Sequence, residues 1–373
     1  MPDMIAQANP GAGYRAHQAE IDAAVMRALG SGWYVLGAEG RAFESEFAQW
    51  LGAAHAVGCA NGTDALGLAL RALHIGPGCA VATVSHTAVA TVAAIEMVGA
   101  TPVLIDIDPV HYTMDPAELA EVLAHPPAGL PPIRAVIPVH LYGQAADIGA
   151  IGAACAPHGA ALIEDCSQAH GATFEGRKVG TFGRIATFSL YPTKNLGALG
   201  DGGIVATGDA DLAADIAAIR QYGWRTHYIS DEVGVNSRLD ELQAAILRVK
   251  LTHLDADNAR RVAIAEDYDT VFGDKAPAHR AGETHVFHQY VVRVKDRAAE
   301  QARLRALGIG TGIHYPVPVH LQPAYAGRVA LGPARCAATE IAAGEVMSLP
   351  MWPQMSDADV ERVCAALPYS RTT

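Results

Sequence analysis

The sequence predicts an α/β chain: a large domain on a mostly parallel sheet, residues 1–250 with an N-terminal helical segment, then a smaller C-terminal α/β domain, 251–373. Three observations lead there. Between about Ala54 and Val205, short apolar runs alternate with helix-like segments, as strands joined by crossover helices do. A long helical stretch from Ser237 to about Phe272 then interrupts the alternation. A second strand-and-helix pattern begins at Tyr290.

Element by element, His55–Cys59 reads as a strand, and Asn61-Gly62-Thr63-Asp64 caps a helix over Ala65–Leu73. Ala80–Thr83 is a second strand, Thr87–Val98 a helix and Thr101–Asp106 a third strand. Ala135–Val139, a helix near Ile148–Ala156, and the strands 160–165, Ala186–Leu190 and Gly203–Thr207 complete the large domain. In Ser237–Phe272, Leu239, Leu242, Ile246 and Val249 make a stripe at steps of three and four, which is core packing. Tyr290–Val294 alternates as a strand, Ala298–Leu307 is helical, and 308–313 leads into the loop His314-Tyr315-Pro316-Val317-Pro318.

Of 373 residues, 50% are hydrophobic and 18% charged, an ordinary globular composition with material for a large core. A net charge of -12 with no basic block argues against a nucleic-acid partner. Cys59, Cys79, Cys155, Cys166, Cys336 and Cys364 form no C-x-x-C pair, which fits a reducing cytoplasm better than disulfides or zinc. Met1–Tyr14 has no basic region followed by an apolar core. The most apolar stretch, Val89–Ile107, is interrupted by Glu96, Gly99, Pro102 and Asp106, so no membrane span is expected.

Asp165 and Lys194 each follow a short β-type run, and in a parallel sheet both fall at the C-terminal strand edge where ligands gather. An amine and a carboxylate presented together there suit pyridoxal 5'-phosphate (PLP). Lys194 would condense with its aldehyde, and Asp165 would keep the ring nitrogen protonated so that the ring accepts electrons. Gln168 is placed to reach the ring 3'-oxygen. A phosphate needs backbone N–H groups at a helix start and hydroxyl donors, which Gly62, Thr63 and Ser189 offer.

The chain resembles the nucleotide-sugar aminotransferases of the DegT/DnrJ/StrS group, fold type I PLP enzymes. The resemblance is carried by 60–66, Pro138–Gly143, Glu164–Gly171, Tyr191–Gly197, Gly202-Gly203 and Gly234–Glu241, in that order along nearly the whole chain. It implies Lys194 as the cofactor lysine, Asp165 on the pyridine nitrogen, Gln168 on the ring, and Thr63 and Ser189 on the phosphate. It further implies that Asn236 reaches the neighbouring subunit's cofactor in a homodimer with shared sites, that L-glutamate is the amino donor, and that a keto-sugar nucleotide is the acceptor.

Two departures stand out. Many relatives stack an aromatic residue on the cofactor at the place held here by Ala88, so His86 is a candidate to cover the ring. Leu190 replaces a frequent Phe. The loop 313–322 resembles that of enzymes aminating C3 of dTDP-linked 3-keto-6-deoxyhexoses, which makes His314 and Tyr315 candidates to face the sugar or the donor carboxylate. Tyr191 is a further substrate candidate, and Arg238 could clamp a carboxylate or pair with Asp240 or Glu241. His320 is either functional or a surface histidine. His285 and His288 are not expected to bind metal, having no third ligand nearby. The alternatives are amination at C4 of a 4-keto sugar nucleotide, a PLP-dependent dehydratase, and a non-catalytic PLP-binding sensor. Sugar dehydratases of the group carry histidine in place of this lysine.

Overall fold

A computed structural model describes residues 4–367. Twelve α-helices follow in chain order: α1 (Pro10–Ala16), α2 (Gln18–Gly30), α3 (Ala38–Leu51), α4 (Gly62–Ala72), α5 (Ala90–Met97), α6 (Pro116–Ala124), α7 (Ile148–Cys155), α8 (Ala210–Ile219), α9 (Glu241–Phe272), α10 (Arg297–Ala306), α11 (Ala337–Glu345) and α12 (Asp357–Ala366). The strands up to the long helix are β1 (His55–Cys59), β2 (Ala80–Val84), β3 (Thr101–Ile105), β4 (Ile133–Val136), β5 (Ala161–Asp165), β6 (Thr173–Phe174), β7 (Arg177–Lys178), β8 (Ile185–Ser189), β9 (Gly203–Thr207), β10 (Trp224–Thr226) and β11 (Ile229–Ser230). Beyond it come β12 (Glu283–Thr284), β13 (Tyr290–Arg293), β14 (Ala330–Leu331) and β15 (Val346–Leu349).

The main sheet has eight strands in the order β1-β9-β8-β5-β4-β2-β3-β14. Only β9 runs against the others, pairing antiparallel with both β1 and β8, so the sheet is mostly parallel as expected. Such a sheet must be covered on both faces. On one side α4, α5 and α8 bury Leu66, Leu70, Ile95 and Ile216 against Val81, Ile163 and Val205. On the other, Phe43, Phe47, Leu247 and Leu254 of α3 and α9 pack on Phe188 and Ile204, while Leu119 and Ile151 of α6 and α7 cover Val103 and Val136. A further core joins Tyr268 of α9 to Tyr290, Ile309, Leu349 and Val363, and β13 pairs with β15 beside it.

α9 is one unbroken 32-residue helix, crossing residue 250 without a kink, where the sequence allowed one helix or two. β14, only two residues long, returns from the C-terminal part to pair parallel with β3 at the sheet edge. Several boundaries differ from expectation, and the long helix expected from Ser237 starts at Glu241. The helix expected from Thr87 starts at Ala90, because 85–89 form a loop whose side chains bond elsewhere, Ser85 to His320 and Thr87 to Thr91. The strand expected to reach Val139 ends at Val136, since Pro138 lacks a ladder N–H and only its carbonyl serves, accepting from Asp165 N–H. No helix among the described residues is long and apolar enough to cross a membrane.

Candidate active site

The site lies where β5, β8 and the start of α4 end together. Asp165 is the last residue of β5 and pairs in register with Thr187 of β8, two residues before Ser189. The chain then turns through Tyr191–Lys194, closed by Lys194 N–H donating to the Tyr191 carbonyl at 2.8 Å. Burial pulls the Lys194 ammonium down to about 8, opposed by the negative charge of Asp165. A lysine in that range is about one-tenth neutral at pH 7, far more than an ordinary lysine, as a nucleophilic or proton-shuttling amine requires. Asp165 is itself buried, with Oδ1 accepting from Ser167 N–H at 3.1 Å and Oδ2 from the Thr91 hydroxyl at 3.0 Å.

The anion cradle is built from backbone. Asn61 caps α4, its side chain accepting from Asp64 N–H at 2.8 Å and its carbonyl from Ala65 N–H at 3.0 Å. The amides of Gly62 and Thr63 have no partner among the described hydrogen bonds and point out of the helix start. A Cβ on Gly62 would lie 2.7 Å from the Cβ of Ser189, so only glycine lets α4 approach the end of β8 this closely. Gly203 is held in the same way, 2.3 Å from the Asn61 carbonyl measured from the Cβ it lacks. Gly62, Thr63 and Ser189 thus form one cradle, and with Lys194 and Asp165 nearby the residues fit PLP: anion donors for its phosphate, an amine for its aldehyde and a buried carboxylate for its ring nitrogen.

A wall of aromatic and imidazole side chains faces this pair. Gln168 accepts from Tyr142 N–H at 2.8 Å and donates to the Tyr315 hydroxyl at 3.0 Å. Tyr142 donates its one hydroxyl hydrogen to the His314 carbonyl, so its 2.7 Å contact with His86 Nε2 must be one it accepts. His86 is therefore the Nε2–H tautomer. Burial takes its pKa down to about 4, and its ring sits against Tyr112 and Tyr142. His314 lies within hydrogen-bond reach of Ser348 Oγ at 2.8 Å and is held down to about 4 by burial and then by the Lys194 charge. Burial and, after it, Asp165 push the Tyr315 phenol up to about 12. The peptide bond joining His314 to Tyr315 is cis.

Sequence reasoning missed several neighbours. Thr91 and Tyr142 hold the site's polar atoms, yet a threonine in an Ala-rich helix and a tyrosine in a short turn carry no local signal. His170 and His288 are buried beside Lys194. Burial and then the Lys194 charge bring His170 to about 3, and the same two causes hold His288 well below the usual imidazole range. Tyr191 is 52% exposed at the rim. Arg238 makes no ion pair among the described residues, and the Glu241 carboxylate instead accepts from the backbone of Gly37, Glu39 and Gly40. Asn236 is exposed, directly before Ser237, which bonds Asp64 and Ala60 at the start of α4. His285 accepts from Phe287 N–H and stacks on that ring. His140, Glu164 and Cys166 have ligand-type atoms within 4.8 Å of one another, but Glu164 already accepts from the amides of Gly180, Phe182 and Gly183.

The model of the DegT/DnrJ/EryC1/StrS aminotransferase family matches residues 15–368. The chain is 46% identical over 361 residues to the erythromycin biosynthesis sensory transduction protein EryC1 of Saccharopolyspora erythraea, covering 95% of this chain and 96% of that one. It is 44% identical to dTDP-3-amino-3,4,6-trideoxy-alpha-D-glucose transaminase of Streptomyces venezuelae, covering 95% and 93%. It is 43% identical to the UDP-N-acetyl-3-dehydro-alpha-D-glucosamine 3-aminotransferase of Acidithiobacillus ferrooxidans, covering 95% of each. Among solved structures, S. venezuelae DesV in complex with a ketimine intermediate superposes with a TM-score of 0.93 at 42% identity, over 98% of this chain and 97% of that one. An aminotransferase of the same group from Brucella abortus gives 0.94 at 36%, over 96% and 97%.

Proposed function

Since this chain belongs to the DegT/DnrJ/EryC1/StrS aminotransferase family and is a PLP-dependent transaminase of fold type I, we propose that it moves the amino group of L-glutamate to C3 of a keto-deoxy sugar nucleotide, a dTDP-linked 3-keto-6-deoxyhexose. The observation that carries the chemistry is Lys194, brought to about 8 beside buried Asp165. PLP supplies the aldehyde that takes up an amine and the ring that accepts electrons when a Cα proton leaves. Lys194 would hold that aldehyde, and its Nζ would move the proton when freed. Asp165, fixed by Thr91 and Ser167, keeps the ring nitrogen protonated. Gln168 contacts the ring, and Gly62, Thr63 and Ser189 bind the phosphate. His86 braces the wall through Tyr142. Tyr191, Arg238, His314 and Tyr315 serve the substrates.

Carbon 3 is supported by the names of two relatives, one a transaminase of a dTDP-3-amino sugar and the other a 3-aminotransferase of a UDP sugar. Enzyme, PLP and glutamate incubated with 3-keto and 4-keto sugars on dTDP and UDP, with the new amine located by NMR, test the reading. The expected product is a 3-amino dTDP sugar. Ammonia in place of an aminated sugar overturns it in favour of elimination.

The working unit is a homodimer in which Asn236 reaches the partner's cofactor phosphate. Asn236 is exposed on the single chain, and Trp33, Tyr34, Tyr228, Ile229 and Val233 expose large apolar surface. Mixing Lys194→Ala with Asn236→Ala subunits checks this. If sites are shared, half of a random population is mixed and half of the sites in it are intact, restoring about a quarter of wild-type activity. No recovery removes the shared site.

A further inference from the structure

Ser85 and His86 follow β2, and each grips one end of the segment His314–His320. At the near end, His86 holds Tyr142 at 2.7 Å, and Tyr142 donates to the His314 carbonyl. At the far end, Ser85 Oγ lies 2.7 Å from His320 Nδ1 and accepts from the His320 amide at 3.2 Å, while the Ser85 carbonyl accepts from Val319 N–H at 3.2 Å. The His320 ring is buried, and its Nε2 lies 3.1 Å from Glu340 Oε1. A carboxylate only accepts, so the tautomer that suits both contacts carries its hydrogen on Nε2. Nδ1 is then a lone pair, and the Ser85 hydroxyl donates to it.

Between the grips lie Tyr315, Pro316, Val317 and Pro318. The prolines fix φ and bring no N–H, so this stretch has few conformations and little backbone bonding of its own. Its position is set from its ends, by the bond from Gln168 to the Tyr315 hydroxyl and by the Gln322 side chain donating to the Val317 carbonyl at 3.3 Å. It presents His314 to Lys194 and Tyr315 to Asp165 closely enough for those charges to act on both rings. Serine, histidine and glutamate also make up hydrolase triads. Here, however, Ser85 is 1% exposed and its oxygen is already shared with the His320 amide, which leaves no access for a substrate carbonyl.

We propose that Ser85, His320 and Glu340 form a clamp that fixes the strap His314–Pro318 as the wall against which the acceptor sugar is held, making His320 a positioning residue. The acceptor's identity rests on the proposed function; the clamp itself rests on these contacts alone. Hydrogen exchange of the cofactor-free protein reads the clamp directly, because the amides of Val319 and His320 are the ones that bond Ser85. Ser85→Ala and His320→Ala should each speed their exchange about tenfold, the effect of losing one buried hydrogen bond, and raise KM for the keto sugar by about as much. His320→Asn should restore most of both properties, since its Oδ1 can stand in for Nδ1 as acceptor of the Ser85 hydroxyl. Unchanged exchange and KM in both alanine variants overturns the clamp, and so does His320→Asn behaving like His320→Ala. Failure of glutamate to bleach the wild-type band would sink the transaminase assignment instead, with the exchange data still deciding the clamp.

Discussion

Thr91 reaches Asp165 from the first turn of α5, and its hydroxyl is the one side-chain donor to that carboxylate among the described residues. Thr91→Val keeps the shape and removes the bond, so kcat/KM should fall about tenfold with little change in Tm. Steady-state kinetics and calorimetry on one preparation check both halves. Lys194 gives a second test. Folding lowers its pKa from 10.5 to about 8, so between those values the unfolded chain holds more protons than the folded one. The cofactor-free protein should therefore gain stability as pH rises from about 8 to 10.5, relative to Lys194→Met, in paired thermal melts. Lys194, Asp165, Gly62 and Ser189 were legible in the sequence because each sits at a strand end or helix start that its neighbours announce. Thr91 and Tyr142 were not, and His320 stood out without a role. Their partners lie 74, 172 and 235 residues away, and nothing local marks a side chain that acts through a distant fold contact.

At the scale of elements, the junction of α4 with β8 sets the cofactor cradle. In Gly62→Ala the new Cβ would sit 2.7 Å from the Ser189 Cβ, forcing the helix start away from the strand. Overpacking of this kind costs about 1–3 kcal/mol, and its effect should fall on cofactor affinity, weakened about tenfold or more in a PLP titration of the cofactor-free protein. Strands match the sequence pattern where the run is apolar and ends in turn residues: β1 and β9 begin and end at the expected residues. Errors came where side chains competed with the backbone, as in the late start of α5, or where proline withheld a donor, as after β4. β14 had no signal to give. Two residues hold no periodicity, and Ala330 and Leu331 become a strand only because β3 offers an open edge.

For the molecule as a whole, burial around the site leaves an acid-labile centre. His86 and His314 are lowered from 6.5 to about 4 and His170 to about 3, and His285 and His288 shift the same way. Below pH 6.5 the unfolded chain takes up protons that these folded rings refuse until about 4, so stability is complete above 6.5 and falls as pH drops through that window. Tm measured between pH 7 and 5 should decline, since that range lies mostly above the carboxylates. His314→Asn should flatten the slope. A Tm independent of pH there would mean that the rings are hydrated and free to charge. The pairing of β14 with β3 has a bearing on biosynthesis. Ala330 meets Val103, which leaves the ribosome more than two hundred residues earlier. Until the last part of the polypeptide emerges, the nascent sheet carries a bare border ready to join a stranger, so this protein should depend on chaperone shielding late in translation more than its compact finished form suggests.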